Sequence, residues 1–342
     1  MTEVGESLTE FQAAAGDWEG KRVLIAGGLG FIGSNLAENL VKRSARVTLV
    51  DCLQPEYGGN EFNIASVRGQ VVVHLADLRD REIVNDVVRE QDFLFNLAGQ
   101  TAHLDSMRKP QTDLEMNCRA QLSLLEACRE NNPAIKIVFA STRQIYGVPQ
   151  YVPVDEKHPL APVDINGVNK LAGENYHLVY SRAYGMQVSI LRLTNTYGPR
   201  MRVKDERQTF LGIWLRQLLE GTPIRIFGDG SQRRDFNFVG DVVDALLRCA
   251  QDPMSRGRIF NLGSSEVVNL RELAELLVEL NGGGDIEIVE FPADRKAIDI
   301  GSYYSDYRLI TEILGWQPRV KLIDGLRETL EFYRQNQARY WE

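Results

Sequence analysis

Three glycines set between two apolar runs constrain this chain more than any other feature. Residues 22 to 51 read Arg22-Val-Leu-Ile-Ala26, then Gly27, Gly30 and Gly33 at three-residue spacing, then an apolar-periodic stretch to Val41, then Arg46-Val-Thr-Leu-Val50 and Asp51. The pattern predicts a buried strand over 22–26, a tight turn, a helix opening at Phe31 and a second strand over 46–50. In a unit of this kind Gly27 permits the turn, Gly30 lets backbone approach a pyrophosphate, and Gly33 lets the helix pack close to the sheet. The helix start, with Phe31 and Ile32, offers free N–H groups and a partial positive charge to the phosphates. Asp51 follows Gly33 by 18 residues, where a carboxylate accepts hydrogen bonds from both ribose hydroxyls. It would repel a 2′-phosphate, and Cys52 rather than an arginine comes next. The expected cofactor is NAD rather than NADP.

The alternation continues. Val71–Leu75 reads as a third strand closing at Asp77-Leu78, where Asp77 meets an adenine edge, caps a helix over Arg79–Glu90, or does both. Phe93–Ala98 is a fourth strand. Its end, Leu97-Ala98-Gly99, allows the cofactor ribose to lie on bare backbone. A helix is expected over Thr112–Asn131, a fifth strand over Lys136–Ala140 and a sixth over Val188–Leu193. Such an order implies an α/β fold, a doubly wound parallel (Rossmann) sheet with right-handed crossovers. Ligands then bind at the carboxyl ends of the strands. Gly27, Gly99 and Thr142 all fall on that edge, so Thr142 is either a group for chemistry or a turn-capping hydroxyl.

Beyond Pro199 the character changes to short strands, glycine turns and scattered helices, with a capping-box pattern at Asn269–Glu272. The expected division is an N-terminal extension over 1–20, with a short helix around Leu8–Ala15, a dinucleotide-binding domain over 21–198, and a smaller mixed α/β substrate-binding lobe over 199–342 from which some segments return to the first.

Thirty-nine basic against 47 acidic residues leave a net charge of −8, which argues against nucleic acid or an anionic membrane as partner. An anionic ligand would need a local cluster of arginines. The four cysteines, 52, 118, 128 and 249, contain no C-x-x-C, and the four histidines, 74, 103, 158 and 177, have no metal-ligand spacing, so no metal is expected. No apolar run approaches the roughly 20 residues of a membrane span, and nothing reads as a signal peptide. A cytoplasmic protein is expected.

In combination these motifs resemble the extended short-chain dehydrogenase/reductase family, in its NAD-dependent nucleotide-sugar epimerase/dehydratase branch. The resemblance rests on Gly27–Gly33, Asp77-Leu78, Leu97-Ala98-Gly99, Ser141-Thr142 before Tyr146-Gly147, Lys170 opening a helix, Arg192-Leu-Thr-Asn195 with Tyr197-Gly-Pro199, Gly228–Phe236 and Arg295 with Asp299. The segment Ala98–His103 looks closest to the 2-epimerases of CDP-sugars and their 4-epimerase relatives. The resemblance implies hydride transfer between a sugar carbon and the nicotinamide through a transient keto intermediate, with a paired proton moving at a hydroxyl. It gives Lys170 the nicotinamide ribose and Thr142 the reacting hydroxyl. Gln100, Thr142 and Asn195 would bind the substrate, and Arg234 and Arg295 would clamp the diphosphate of a nucleotide-diphosphate sugar. For Arg234 the alternative is a structural ion pair with Asp235.

Two departures matter. The family places Tyr four residues before the Lys, and here that position is Asn166. An amide does not shuttle protons near neutral pH. Asp164, His103, Tyr146 and Tyr303 are the substitutes the sequence offers, with Asp164 the first choice. Where the 4,6-dehydratases carry an acidic pair after the Thr, this chain has Arg143-Gln144, which puts an epimerase ahead of a nucleotide-sugar dehydratase. A protein that binds NAD and nucleotide-sugar but turns over weakly, as a sensor or partner subunit, is the alternative that Asn166 favours. The apolar positions Leu114, Leu122, Leu125 and Ala127, with Leu171, Leu178 and Val179, are divided between the sheet and a partner. The resemblance makes that partner a second copy, in a homodimer built on a four-helix bundle.

Overall fold

The structure is a computed structural model that describes residues 17–205 and 209–341. The helix expected around Leu8–Ala15 lies outside the described residues. Strand β1 (Arg22–Ala26) runs through the glycine turn into α1 (Phe31–Lys42) and returns as β2 (Arg46–Asp51). The two strands pair in parallel, Val23 opposite Val47 and Ala26 opposite Val50. Their side chains are apolar on both faces because helices cover both, as a parallel sheet requires.

The first half continues with β3 (Val71–Leu75), α2 (Arg81–Val87), β4 (Phe93–Asn96), α3 (His103–Arg108), α4 (Pro110–Leu114), α5 (Ala120–Asn131), β5 (Lys136–Thr142), α6 (Ile165–Tyr184) and β6 (Gln187–Leu193). The second half holds β7 (Asn195–Tyr197), α7 (Phe210–Leu219), β8 (Ile224–Phe227), β9 (Arg233–Phe238), α8 (Val239–Gln251), β10 (Ile259–Asn261), β11 (Val267–Asn269), α9 (Leu270–Asn281), β12 (Ile286–Val289), α10 (Ala293–Lys296), α11 (Arg308–Leu314) and α12 (Leu322–Tyr340).

Seven strands form one sheet in the order β10-β6-β5-β4-β1-β2-β3, with every adjacent pair parallel. Helices α1, α8 and α11 bury one face and α2, α5 and α6 the other. The strand order reverses between β1 and β4, so the glycine turn stands at the switch point, where a crevice opens. Strand β10 and helices α8 and α11 come from beyond residue 199 and complete the large sheet. A second core joins α7, α9 and α12 to β8 and β9. Trp18 is buried against Phe93, with ring centroids 4.8 Å apart, so the residues just ahead of β1 belong to the first core.

Three local expectations change. Helix α2 is shorter than the stretch 79–90, and Asp80 is its N-cap, with Oδ1 accepting from Ile83 N. Asp77 instead accepts from Arg79 N at 2.8 Å and pairs with the Arg79 side chain, and Leu78 is buried. The fourth strand ends at Asn96, although Leu97 N still donates to Ala26 O at 3.0 Å. The helix expected over Thr112–Asn131 begins at Pro110 and contains a π turn at Glu115–Arg119. That wider turn brings Asn117 inward, where its Nδ2 donates to Gln100 O at 3.0 Å, next to the carboxyl edge of the sheet.

Candidate active site

At the carboxyl edge of β1 the side chains withdraw. A Cβ on Gly33 would sit 2.2 Å from Gly27 O, and one on Gly27, whose φ is +81°, would meet the backbone of Ala98 at 3.0 Å. Only glycine fits either place. Gly30 differs, because a Cβ there would meet only Gly27 O, at 3.3 Å, so its open side faces the crevice. Gly30 is also the N-cap of α1, with no side chain bonded to the helix start and no acid in the first turn. The N–H groups of that turn are left for an anion. Asp51, at the end of β2, accepts from Leu29 N at 3.0 Å and Leu53 N at 2.9 Å. Burial raises its pKa, and those two backbone bonds oppose the rise. The cradle, the helix start and the held carboxylate fit a dinucleotide, which Gly27, Gly30, Phe31, Ile32, Gly33 and Asp51 would hold.

On the neighbouring strands, β4 ends toward Leu97-Ala98-Gly99 and β5 ends at Thr142. Lys170, in the second turn of α6, reaches down to this edge. Its Nζ donates to Ala140 O at 2.9 Å and lies over the Phe139 ring at 4.8 Å. A Cβ on Gly99 would come within 3.4 Å of that Nζ. Burial lowers the ammonium pKa to about 8 against the opposing pull of Asp113 and Glu174. Thr142 Oγ1 accepts from Gln144 N at 3.2 Å. The turn-capping role is therefore present, and a hydroxyl that accepts there keeps its own proton to donate.

The first turn of α6 is saturated. Asp164 is its N-cap, with Oδ1 accepting from Gly167 N at 2.6 Å and Oδ2 from Gln144 Nε2 at 2.9 Å. Its side chain is wholly buried, and Oδ2 stands 2.9 Å from His103 Nδ1. Burial pushes the carboxyl pKa up, but His103, Gly167 and Gln144 together bring it below its ordinary value. Asn166 is buried too. Its Nδ2 lies 2.7 Å from Gln100 O, 3.1 Å from Gln100 Oε1 and 3.0 Å from Asp113 Oδ2, and its N–H donates to Ser106 Oγ at 3.1 Å. Asp113 also accepts from Asn169 Nδ2 at 2.8 Å. Asn166 thus ties α6 to α4 and to the strand-end loop, and Gln100 is spent on that tie.

The arginines sit on the other side of β5 and β6. Arg143 Nη2 donates to Asn195 Oδ1 at 3.1 Å, while Nη1 is buried without a partner. Asn195 Nδ2 donates to Asp235 O at 2.9 Å. Arg234 is held by the carbonyls of Arg233 and Gly301 and by Asp299 at 3.6 Å. Asp235 accepts instead from Thr194 Oγ1 at 2.5 Å and Ser305 N at 3.0 Å, so the expected Arg234–Asp235 pair is not the one formed. Burial, and then the positive charge of Arg143, lower the Arg234 pKa to about 10. Arg295 lies on α10, its guanidinium 5.3 Å from the centre of the Phe227 ring.

Gly27, Gly99, Thr142 and Lys170 lie at the carboxyl edge of the sheet, whereas Asp77 pairs with Arg79 and Arg295 packs on Phe227. Asp113 and the unsatisfied Arg143 Nη1 were not anticipated. Asp113 occupies an inward position of an ordinary-looking helix, and nothing in the apolar periodicity of that stretch marks it. Arg143 itself was legible, since it directly follows Thr142.

Residues 23–263 match the family described as the NAD dependent epimerase/dehydratase family. The putative UDP-glucose 4-epimerase of Methanocaldococcus jannaschii is 32% identical over 316 residues, 92% of this chain and 99% of the relative. The dTDP-glucose 4,6-dehydratase of Streptomyces niveus is 31% identical over 332 residues, 94% of this chain and 95% of the relative. Among solved structures, the UDP-glucose 4-epimerase of Thermus thermophilus in complex with NAD superposes with a TM-score of 0.82 at 32% identity, over 92% of this chain and 99% of that one.

Proposed function

The chain belongs to the NAD-dependent epimerase/dehydratase family, and on that premise we propose that it is an NAD-dependent epimerase of a nucleotide-diphosphate sugar, working through a transient keto sugar. The observation that carries the reading is Lys170: a buried ammonium anchored to Ala140 O, beside the bare backbone at Gly99 and on the sheet edge where Thr142 ends β5. NAD supplies a hydride acceptor that returns the hydride within the same turnover. Lys170 holds the ribose and places positive charge next to the reacting hydroxyl. Thr142 donates to the sugar oxygen. Arg143, partly buried, and Arg234, buried, are cations within electrostatic reach of each other and favour a di-anionic ligand. Asn195 orients Arg143. Gln100 shapes the sugar site from behind, through Asn166. Arg295 closes on the diphosphate from α10.

An epimerase is favoured over a dehydratase because Arg143-Gln144 supplies neither the acid nor the base of an elimination. The test is turnover with a panel of UDP-, dTDP-, CDP- and GDP-sugars, UDP-hexoses first given the relatives' names. Nuclear magnetic resonance of the products should show an epimer. A 4-keto-6-deoxy sugar would support the dehydratase reading. No conversion across the panel, with tight binding retained, would support the binding-protein reading.

We also infer a homodimer. Leu114 and, one helix away, Val168 and Val179 are exposed, whereas Leu125, Ala127 and Leu178 are buried against the sheet. Val168 and Val179 are eleven residues apart, about three turns, and so share a stripe of α6. Light scattering at micromolar concentration should give twice the chain mass, and a monomeric mass would refute it. No described helix is long and apolar enough to cross a membrane.

A further inference from the structure

With Asn166 turned inward, the reacting hydroxyl needs another proton acceptor, and four side chains are near enough in sequence and fold to be weighed. Three are closed. Tyr146 is fully buried, its hydroxyl between Asn261 Oδ1 and Arg192 Nη1 at 2.7 Å each. Tyr303 is fully buried, its hydroxyl 3.1 Å from Ser305 Oγ. The Asp164 side chain has no exposed surface, and both its oxygens are engaged.

His103 is different. It opens α3, immediately past the strand-end loop Gly99–Ala102, on the carboxyl edge that receives ligands. Its side chain is 35% exposed. Nδ1 is buried and lies 2.9 Å from Asp164 Oδ2, close enough for an ion pair though off the line of a hydrogen bond, so the exposed part of the side chain lies elsewhere on the ring. One nitrogen stands against a carboxylate, and the ring stays partly open at the carboxyl edge of the sheet. This is the arrangement that lets an imidazole take a proton and share the resulting charge with the carboxylate behind it. Asp164 is in turn fixed by Gly167 N and Gln144 Nε2, and the Gln144 backbone N–H is the donor to Thr142 Oγ1. His103, Asp164, Gln144 and Thr142 form one connected chain of polar groups.

We propose that His103 is the proton acceptor and donor of the epimerisation, with Asp164 as its positioning residue, in the place the family gives to the tyrosine replaced by Asn166. The inference rests on the epimerase reading. The sugar O–H bond breaks and its proton goes to His103 Nε2. The C–H bond breaks, and its hydrogen would leave with both electrons to the NAD that the glycine turn and Lys170 would hold. The oxygen lone pair so released closes the carbonyl, and the imidazolium is balanced by Asp164. Return of the hydride to the other face, with the proton from His103, restores an alcohol of inverted configuration.

The experiment follows cofactor reduction by absorbance in the NAD-loaded protein mixed with the active sugar of the panel, alongside calorimetric binding of NAD and UDP. His103→Ala should slow cofactor reduction by roughly 10²- to 10⁴-fold with both affinities within twofold of native. Added imidazole should restore turnover to His103→Gly, which a purely structural histidine would not allow. Asp164→Asn keeps an oxygen for the N-cap and should lower kcat with KM held. An active native protein whose reduction rate survives His103→Ala, or a His103→Gly variant that imidazole does not rescue, overturns this inference alone. A native protein that neither reduces its cofactor nor converts any sugar overturns the epimerase reading and this inference with it.

Discussion

Two ends of the same sheet edge are built on opposite principles. Around Gly27, Gly30 and Gly33 side chains are absent, the start of α1 has no side-chain cap, and hydrogen-bonding capacity is left for a ligand. Around the start of α6 side chains are dense: Asp113, Asn166, Asn169 and Gln100 satisfy one another, and Asp164 is held by Gly167 N and Gln144 Nε2. An open backbone suits a ligand that brings its own charges. A closed network suits groups that must be held while a proton moves. The comparison shows why Asn166 is ill placed for chemistry: it belongs to the closed part, and what remains open beside it is His103.

The sharpest way to break the open end is Gly33→Val. With a Cβ already 2.2 Å from Gly27 O, the turn must be displaced, and NAD binding should fall below detection by calorimetry. NAD affinity within tenfold of native would mean that the turn tolerates side chains and the contrast is wrong.

The closed end is tested next by Lys170→Met. The ammonium, ordinarily at 10.5, is brought to about 8 by burial, which corresponds to about 3 kcal/mol of destabilisation. Below pH 8 both folded and unfolded chains carry the charge, and the penalty stands in full. Between pH 8 and 10.5 the unfolded chain keeps a proton that the folded chain has released, so native stability rises with pH. In urea unfolding of cofactor-free protein, Lys170→Met should therefore be the more stable at pH 7, by up to about 3 kcal/mol less the lost bond to Ala140 O, and the gap should narrow toward pH 10. A gap independent of pH would contradict a buried charged lysine. Turnover should fall at every pH.

Asn166→Tyr tests the same network with a smaller effect. The bulkier ring must enter a packed site and leave Asp113 and Gln100 short of a donor, at about 1 to 3 kcal/mol, read as a lower urea midpoint together with lower activity. A large gain in activity would instead make Asn166 a simple loss from a tyrosine enzyme. The smallest effect is expected at Asp51→Asn. Removing the charge should weaken NAD by about 1 kcal/mol and improve NADP relative to it. An unchanged NAD-to-NADP ratio would detach Asp51 from the ribose.

The open end was legible in the sequence because its requirements are steric and local. Glycine spacing, two apolar strands and a following acid define it within thirty residues, and β1, α1 and β2 appear where the pattern put them. The closed end was legible only in part. Lys170 and Thr142 could be placed from their motifs, and the missing tyrosine was plain. The partners of Asn166 were not, because Gln100 and Asp113 are 66 and 53 residues away and reach it across a helix–helix contact. The π turn at Glu115–Arg119 that seats Asn117 against Gln100 leaves no mark in apolar periodicity. Asp164 looked like a free carboxylate in the sequence, and only the fold shows it spent on a helix cap and on His103.

In the proposed reaction a hydride leaves one sugar carbon and returns to the same carbon, while a group other than Asn166 handles the proton. The most direct measurement uses a nucleotide-sugar deuterated at the carbon whose configuration changes, turned over by the NAD-loaded protein in ordinary water. The expected product is an epimer that keeps its deuterium at that carbon, from native protein and Asn166→Ala alike, although more slowly from the variant. Replacement of the deuterium by solvent hydrogen, or loss of all turnover in a folded Asn166→Ala that still binds NAD and sugar, would contradict it.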